Sequence, residues 1–243
     1  MADTFSILEF EELDSTNAYV LREFPNLDDR TAVTALRQTA GRGRLNRAWL
    51  SEGKGLYFSL AVKPRNPESF PFANLTQLLC VAARAALAES GLEPLIKWPN
   101  DLVCDGGKIG GILAEAVTAD GRVTGAALGA GLNLSQTESD FQELHYPAVS
   151  IAMLGGQVPP RGELLVKTLS QFYARYPDFE RHGFAAISAE YDRYFAFRGK
   201  RMVLRQDGPG VEGTALGADG EGRLILETAE GKRLFTTGDL LPG

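Results

Sequence analysis

The residues best suited to chemistry gather in one stretch, Gln38-Thr39-Ala40-Gly41-Arg42-Gly43-Arg44-Leu45-Asn46-Arg47-Ala48-Trp49. No carboxylate occurs anywhere from Arg30 to Ser51. Glycine lets the backbone turn sharply and bring its N–H groups close to a ligand. Arginine offers a planar, permanently charged fork that matches carboxylate and phosphate oxygens two at a time. Trp49 can stack on a base or close an apolar pocket. The stretch reads as an anion-binding loop for a nucleotide phosphate together with a carboxylate. It lacks the Lys-Ser/Thr pair that follows the second glycine of a Walker-type loop, so another architecture must hold the phosphate.

Three further clusters carry polar groups at useful spacings. Asp14-Ser15-Thr16-Asn17 supplies hydroxyls and exposed N–H groups at a helix start, which serve either as plain caps or as a polar site. Lys97-Trp98-Pro99-Asn100-Asp101 is followed by Lys108, which sets Asp101 and Lys108 on opposite arms of a hairpin. An ion pair or a solvated turn accounts for those two as well as catalysis does. Gly129-Ala130-Gly131-Leu132-Asn133 ends a strand in small residues, suiting close approach of a ligand or another backbone.

The elements that must position these groups follow from periodicity. Phe5 to Leu13 reads as a strand, and Ala18, Leu21 and Phe24 as a helical stripe. Thr31 to Leu36 reads as a strand that runs into the loop, and Gly55 to Val62 as the strand that leaves it. Leu75, Leu78, Leu79, Ala82, Ala83, Ala86 and Leu87 form the clearest helix, ended by Gly91. Asp101–Cys104, Lys108–Ala116 and Val123–Gly131 read as strands joined at Asp105-Gly106-Gly107 and Asp120-Gly121. Ser135 to Tyr146 reads as a polar, mobile loop. Leu164 to Tyr176 reads as a second long helix, and Ile187, Tyr191 and Phe195 mark a third. From about residue 198 four short strands, Arg201–Arg205, Val211–Leu216, Arg223–Glu227 and Arg233–Thr236, alternate with turns at Asp207-Gly208, Asp219-Gly220 and Glu230-Gly231. That rhythm suggests a small all-β barrel as a second domain, 198–243 after 1–197.

Bulk properties exclude several classes. The chain has 243 residues, 44% hydrophobic and 23% charged, which suits an ordinary globular protein of one large or one large and one small domain. A net charge of -6 argues against generic attraction to nucleic acid. Two cysteines, Cys80 and Cys104, and two histidines make no zinc or iron–sulfur pattern. The N-terminus shows no signal-peptide pattern and no apolar run is long enough to span a bilayer, so a cytoplasmic location without a membrane partner is expected.

Taken together, Ser15-Thr16-Asn17, the loop Gln38 to Trp49, Lys97 to Asp101 with Lys108, and Gly129 to Asn133 resemble the biotin–protein ligases, or biotin–[acetyl-CoA-carboxylase] ligases. The resemblance runs in order from about Phe5 to Asn133. It implies an α+β fold: a mixed β-sheet backed by helices, like class II synthetases, then a small barrel like a Src-homology-3 domain. It implies that biotin and ATP, with Mg²⁺, form biotinyl-5′-AMP, whose biotin passes to one lysine of a biotin carboxyl carrier protein of acetyl-CoA carboxylase or a related biotin-dependent carboxylase. Carried over by position, Lys108, Asp101 and Arg42 would be catalytic. Ser15, Thr16, Asn17, Gln38, Gly41, Arg42, Gly43, Arg44, Lys108 and Gly110 would hold biotin and adenylate, and Trp49, Asn100 and Asn133 the adenine side. No metal ligand is assigned, and a homodimer is compatible with the family.

Leu45 departs from the family, standing where relatives often carry a basic residue. Some family members add an N-terminal helix-turn-helix domain and act as repressors. Here the ligase pattern starts within the first dozen residues, so the form without that domain, binding no nucleic acid, is expected. A lipoate or octanoate ligase is the alternative, but the Arg-Arg-x-Ser/Thr-Gly-Gly-Gly pattern of lipoate ligases is missing.

Overall fold

The structure, a computed structural model, describes residues 5–206 and 208–243. Residues 1–4, Asp207 and the side chain of Asn46 lie outside the description, and with them the expected Asp207-Gly208 turn and the reading of the first four residues.

Seven strands form a mixed sheet: β1 (Ser6–Leu13), β2 (Thr31–Gln38), β3 (Gly55–Val62), β4 (Leu95–Lys97), β5 (Asp101–Cys104), β6 (Gly107–Ala119) and β7 (Arg122–Asn133). Their order across the sheet is β1-β2-β3-β7-β6-β5-β4, and among the described residues only the β1 and β2 neighbours run parallel. Asp105 and Gly106 (φ 46° and 83°) close the β5–β6 hairpin, and Asp120 and Gly121 (φ 51° and 75°) the β6–β7 hairpin. Two positive φ values in succession are what the tight hairpin turn needs, and Asp-Gly meets the requirement cheaply.

Helix α1 (Thr16–Glu23) covers one face of the sheet, while α2 (Leu75–Ala88), α3 (Arg161–His182) and the short α4 (Ser188–Arg193) belong to the other. Strand β3 shows why both faces matter. Its alternating Leu56, Phe58, Leu60 and Val62 join the large core with α2 and α3, while Ala61 joins the smaller cluster of Val20, Phe24 and Val33 beneath α1. All eight residues of β3 are therefore buried. Leu75, Leu78, Leu79 and Leu87 of α2 are fully buried, each stabilising the fold by roughly 1.5–3 kcal/mol. No helix among the described residues is long and apolar enough to cross a membrane.

A second, five-stranded antiparallel sheet has the order β11-β10-β9-β8-β12, from β8 (Arg201–Arg205), β9 (Val211–Ala218), β10 (Leu224–Thr228), β11 (Gly231–Phe235) and β12 (Asp239–Pro242). This is the small Src-homology-3-like module, with one strand more than expected. Strand β12 escaped the sequence reading because it is only four residues long and ends in proline, which suits a sheet edge. Leu204, Ala215, Leu224, Leu226 and Leu240 from this sheet share the buried cluster of the large core. The Gly222 carbonyl oxygen accepts from Gln77 Nε2 (2.8 Å) and Trp98 Nε1 (3.0 Å), a direct polar tie between the two sheets.

Two expectations need revision. The third helix covers only Ser188–Arg193, because Gly183 (φ 59°) ends α3 and a 3-10 turn over Gly183–Ala186 takes up the connection. The stretch Ser135 to Tyr146 holds a 3-10 turn at Glu138–Phe141 with a capping box between Thr137 and Asp140. Lys54 Nζ donates to Asp140 at 2.7 and 2.8 Å, and this contact, with the Thr137 hydrogen bonds, lowers the Asp140 carboxyl to about 2.

Candidate active site

The sheet face covered by α1 carries the polar groups. Side chains alternate along a strand, so pairing across neighbouring strands lines up one set: Ser59 of β3 lies beside Gly129 of β7, and Gly131 beside Gly111 of β6. Gly111 in turn pairs with Asp101 of β5, which pairs with Lys97 of β4. Lys108 ought to fall on the opposite face, being three residues from Gly111. A bulge prevents this. Leu102 pairs with Gly110 but Val103 pairs with Lys108, so Ile109 is the extra residue and turns into the core. An added residue that re-aims a side chain is a common device beside active sites. Here it brings Lys108 Nζ to 2.7 Å from Asp101 Oδ1, with Lys97 Nζ at 3.7 Å from the other oxygen.

The arginine loop folds over this face as a small closed turn. Trp49 N–H donates to the Gly41 carbonyl oxygen (2.9 Å), and Gly43 N–H to that of Arg47 (2.8 Å). A side chain at position 41 would stand 2.7 Å from Ser51 Oγ and 2.8 Å from the Trp49 carbonyl oxygen, so only glycine permits the closure. Trp49 packs against Gly131, where an added Cβ would come within 2.3 Å of the indole. Lys108 Nζ sits 5.1 Å from the Trp49 ring and 5.6 Å from that of Tyr146, within cation–π range of both. At the tip Leu45 adopts a left-handed backbone (φ 56°, ψ 34°) and is 73% exposed.

Loop and sheet enclose a cleft of about 750 Å³, open to solvent. Ser15, Thr16, Asn17, Gln38, Arg42, Gly43, Arg44, Trp49, Asn100, Asp101 and Lys108 all line it. Its lining has four cations (Arg42, Arg44, Arg47, Lys108) against two carboxylates (Asp101, Asp239), an excess of positive charge that fits an anionic ligand. Among the described residues the Trp49 Nε1 donor is buried against Gly131 without a hydrogen-bond partner. Beside the cleft, across Trp49, Lys108 and Tyr146, lies a mostly apolar hollow of about 280 Å³, also open to solvent, formed with Leu50, Asn133, Phe141, Leu144 and Ala148.

Of the expected site residues, Gly41 and Gly110 stand outside the cleft lining. Gly110 is small because a Cβ would lie 2.7 Å from Leu132 Cδ2. Asn133 borders the hollow rather than the cleft, and its Nδ2 donates to the carbonyl oxygens of Lys108 (3.2 Å) and Val149 (3.0 Å). Asn100 lines the cleft, but its Nδ2 donates to the Ile112 carbonyl oxygen (2.5 Å) and its oxygen accepts from Arg44 (3.0 Å). Both asparagines thus spend their amide nitrogens on backbone carbonyl oxygens. The helix cap is as expected: Ser15 Oγ accepts from Ala18 N–H. The Ser15 N–H donates to Asp14 (2.8 Å) and, with Arg22, holds that carboxyl below its ordinary value.

Residues that sequence reasoning passed over also reach the site. Asp239 of β12 lines the cleft, 2.5 Å from Arg47 and 3.8 Å from Arg44, while Arg44 also donates to Thr237 Oγ1 (3.2 Å) and the Gly238 carbonyl oxygen (3.3 Å). Ser59 donates to Asn17 Oδ1 at 2.5 Å, and Glu115 of β6 accepts from Asn17 Nδ2 at 2.8 Å. Polar residues inside otherwise apolar strands were the visible signal for Ser59 and Glu115. Cys80 is fully buried beneath the site, and burial drives its thiol well above the ordinary value, which suits packing rather than chemistry.

Two family models match the chain: the biotin/lipoate A/B protein ligase family over residues 9–133, and the biotin protein ligase C terminal domain over residues 199–240. The chain is 30% identical over 240 residues to a biotin–[acetyl-CoA-carboxylase] ligase of Paracoccus denitrificans, covering 95% of this chain and 98% of that one. It is 37% identical over 219 residues to the bifunctional ligase/repressor BirA of Bacillus subtilis (strain 168), covering 88% of this chain and 67% of the relative. A solved biotin protein ligase from Aquifex aeolicus, in complex with biotin and ATP, is similar with a TM-score of 0.85 at 28% identity, over 97% of both chains.

Proposed function

Since the chain belongs to the biotin/lipoate A/B protein ligase family, we propose that its cleft joins biotin to ATP and passes the biotin to a lysine of a carrier protein. In the first half-reaction a biotin carboxylate oxygen attacks the α-phosphorus. The new P–O bond forms as the bond to the β-phosphate oxygen breaks, giving biotinyl-5′-AMP and pyrophosphate. In the second, the neutral amine of the carrier lysine attacks the acyl carbon and AMP leaves. The observation that carries this reading is the single cleft in which the polar floor of Ser15, Thr16 and Asn17, the Lys108–Asp101 pair and the arginine loop all meet.

A carboxylic acid with a pKa of about 4 is ionised at neutral pH, so the first step needs charge neutralisation and alignment rather than a base. Lys108, Arg42 and Arg44 supply the charge, and Asp101 orients Lys108. The apolar hollow beside Trp49 suits the adenine ring, whose faces pack on aromatic and aliphatic side chains. Asn133 and Asn100 support that region by holding the backbone at Lys108 and Ile112.

Mg²⁺ enters this reading with the triphosphate, as part of the substrate. No cluster of three or more His, Cys, Asp or Glu side chains gathers among the described residues. A cation held chiefly by phosphate oxygens, with at most one or two carboxylates, fits that donor set. The carrier is a biotin carboxyl carrier protein of a biotin-dependent carboxylase. The reducing cytoplasm suits two buried free thiols.

The direct test incubates the protein with labelled biotin, ATP, Mg²⁺ and a biotin carrier domain. Labelled carrier is the expected result. Labelling by lipoate or octanoate with none by biotin would overturn the reading in favour of the sister activity.

The contact between Asp239 and the loop adds a second expectation. Arg47 is otherwise exposed, and its 2.5 Å contact with Asp239 ties the loop to the C-terminal sheet. Asp239→Ala should expose the loop, so that trypsin cleaves after Arg44 and Arg47 several-fold faster than in the parent protein. Saturating biotin plus ATP should restore protection, because the bound anion replaces the lost carboxylate as the arginines' partner. Unchanged cleavage in the variant would show that the loop is held by something else.

A further inference from the structure

The floor of the cleft holds a chain of hydrogen bonds whose direction is set from one end. Glu115 Oε2 accepts from Asn17 Nδ2 at 2.8 Å, and the same nitrogen lies 3.4 Å from the Leu113 carbonyl oxygen. The carboxylate, paired with Arg42 at 3.6 Å, and the carbonyl are both acceptors. The Asn17 amide must therefore turn its nitrogen toward them and its oxygen away. That oxygen lies 2.5 Å from Ser59 Oγ, a separation that requires a proton between the two atoms. An amide oxygen has none to give, so the single hydroxyl proton of Ser59 is committed to Asn17.

Ser59 Oγ is also 2.7 Å from Thr16 Oγ1. With the Ser59 proton already spent, the proton between these two hydroxyls must come from Thr16. Gln38 Oε1, 3.2 Å from Thr16 Oγ1, keeps the Thr16 backbone N–H at 2.9 Å as its donor. The relay thus runs from Thr16 to Ser59, from Ser59 to Asn17 and from Asn17 to Glu115. Thr16, Asn17 and Ser59 are each at least 95% buried, so water cannot readily reset it. Thr16 Oγ1 is left with lone pairs only and meets a ligand as an acceptor.

We propose that Glu115 is a specificity-determining positioning residue: it fixes the polarity of this relay and so makes Thr16 select a ligand ring that carries an N–H donor. The inference rests on the biotin ligase reading, in which the ureido ring supplies that N–H. Glu115 itself need not touch the substrate. The dithiolane ring of lipoate has no N–H to offer, so the same polarity works against the sister substrate. In Glu115→Gln the side chain can donate as well as accept, and only the longer 3.4 Å contact with the Leu113 carbonyl oxygen still favours the original Asn17 amide orientation. In the flipped orientation Thr16 recovers a proton that it can turn toward the cleft.

The experiment measures dissociation constants for biotin and for its two cyclic carbamate analogues, in each of which one ureido N–H is replaced by oxygen. In the parent protein one analogue should bind at least tenfold more weakly than biotin, the scale of one lost hydrogen bond. Glu115→Gln should compress that ratio to within about threefold, largely by weakening biotin. Ser59→Ala cuts the relay at its middle and should compress the ratio equally, and it serves as the readout if the Gln variant does not fold. The double variant should add nothing further, since both changes break one chain. A merely structural role for Glu115, or an effect through Arg42 alone, would weaken biotin and both analogues together. An unchanged ratio in Glu115→Gln, or additive effects of the two substitutions, overturns the inference while leaving the ligase reading intact. Failure of the parent protein to bind biotin at all would overturn the ligase reading itself.

Discussion

Lys108→Ala should lower the rate of biotinyl-5′-AMP formation by about 10³-fold, the upper scale for removing one preorganised donor from a developing anion. Lys108 is the charge that the fold places with most care. The bulge at Ile109 turns it onto the site face, Asp101 fixes it at 2.7 Å, and the Trp49 and Tyr146 rings flank it. Alanine removes that charge from between a carboxylate and a phosphate, and the two anions then repel at the moment they must meet. Supplying purified adenylate should restore part of the carrier labelling, because the first step is then bypassed. Thermal unfolding of the variant should stay close to that of the parent, since Asp101 keeps Lys97 as a partner at 3.7 Å and is not left as an unpaired charge. The decisive measurement is a single-turnover assay of pyrophosphate release. A fall of less than tenfold would mean that the arginine loop, not Lys108, carries the neutralisation.

Asp101→Asn should show a different pattern. The amide keeps the size and can still accept from Lys108, so adenylate should form at a moderately reduced rate. Transfer to the carrier should slow by about 10²-fold, the lower scale for losing a general base. A carrier lysine has a pKa of about 10.4, and it must reach the acyl carbon without its proton. In the variant that neutral amine must come from solution, so the transfer rate should climb about tenfold per pH unit below that pKa. The parent protein should respond less steeply. Carrier labelling from preformed adenylate, followed across pH 6 to about 9, separates the two profiles. If Asp101→Asn abolishes adenylation as completely as Lys108→Ala does, the carboxylate acts only through Lys108, or through the ion that accompanies the triphosphate.

Much of this was open to reading from residue types and spacing, and the reasons differ by residue. Arg42, Arg44, Lys108 and the Ser15-Thr16-Asn17 cluster stand out because charged and hydroxyl groups recur around glycines at short range. The hairpins were legible because Asp-Gly is the cheapest sequence for their turns. Asp239 was not, for its contact with Arg47 spans 192 residues and depends on how the second sheet docks. Ser59 and Glu115 were visible only as polar residues in apolar strands. Whether each faces the core or the cleft follows from strand register, which a local pattern does not contain. Asn100 and Asn133 illustrate the opposite problem. Both lie beside the site in sequence and in space, yet their amides are used to hold backbone, which no spacing rule reveals.

The bulge at Ile109 has a consequence for how this protein can vary. Which side of β6 faces the cleft is a matter of odd or even count along the chain, and the extra residue acts as a parity bit between Lys108 and Gly111. Point substitutions leave the count unchanged, however drastic the side chain. Loss of Ile109 would leave Lys108 two residues from Gly111, on the cleft side of an unbroken strand. A strand that lost the bulge at unchanged length would instead send Lys108 toward the core and Ile109 toward the ligand without altering the chemistry of either. Drift along this strand is therefore bounded by residue count and bulge together, in addition to the identities of the residues that the bulge displays.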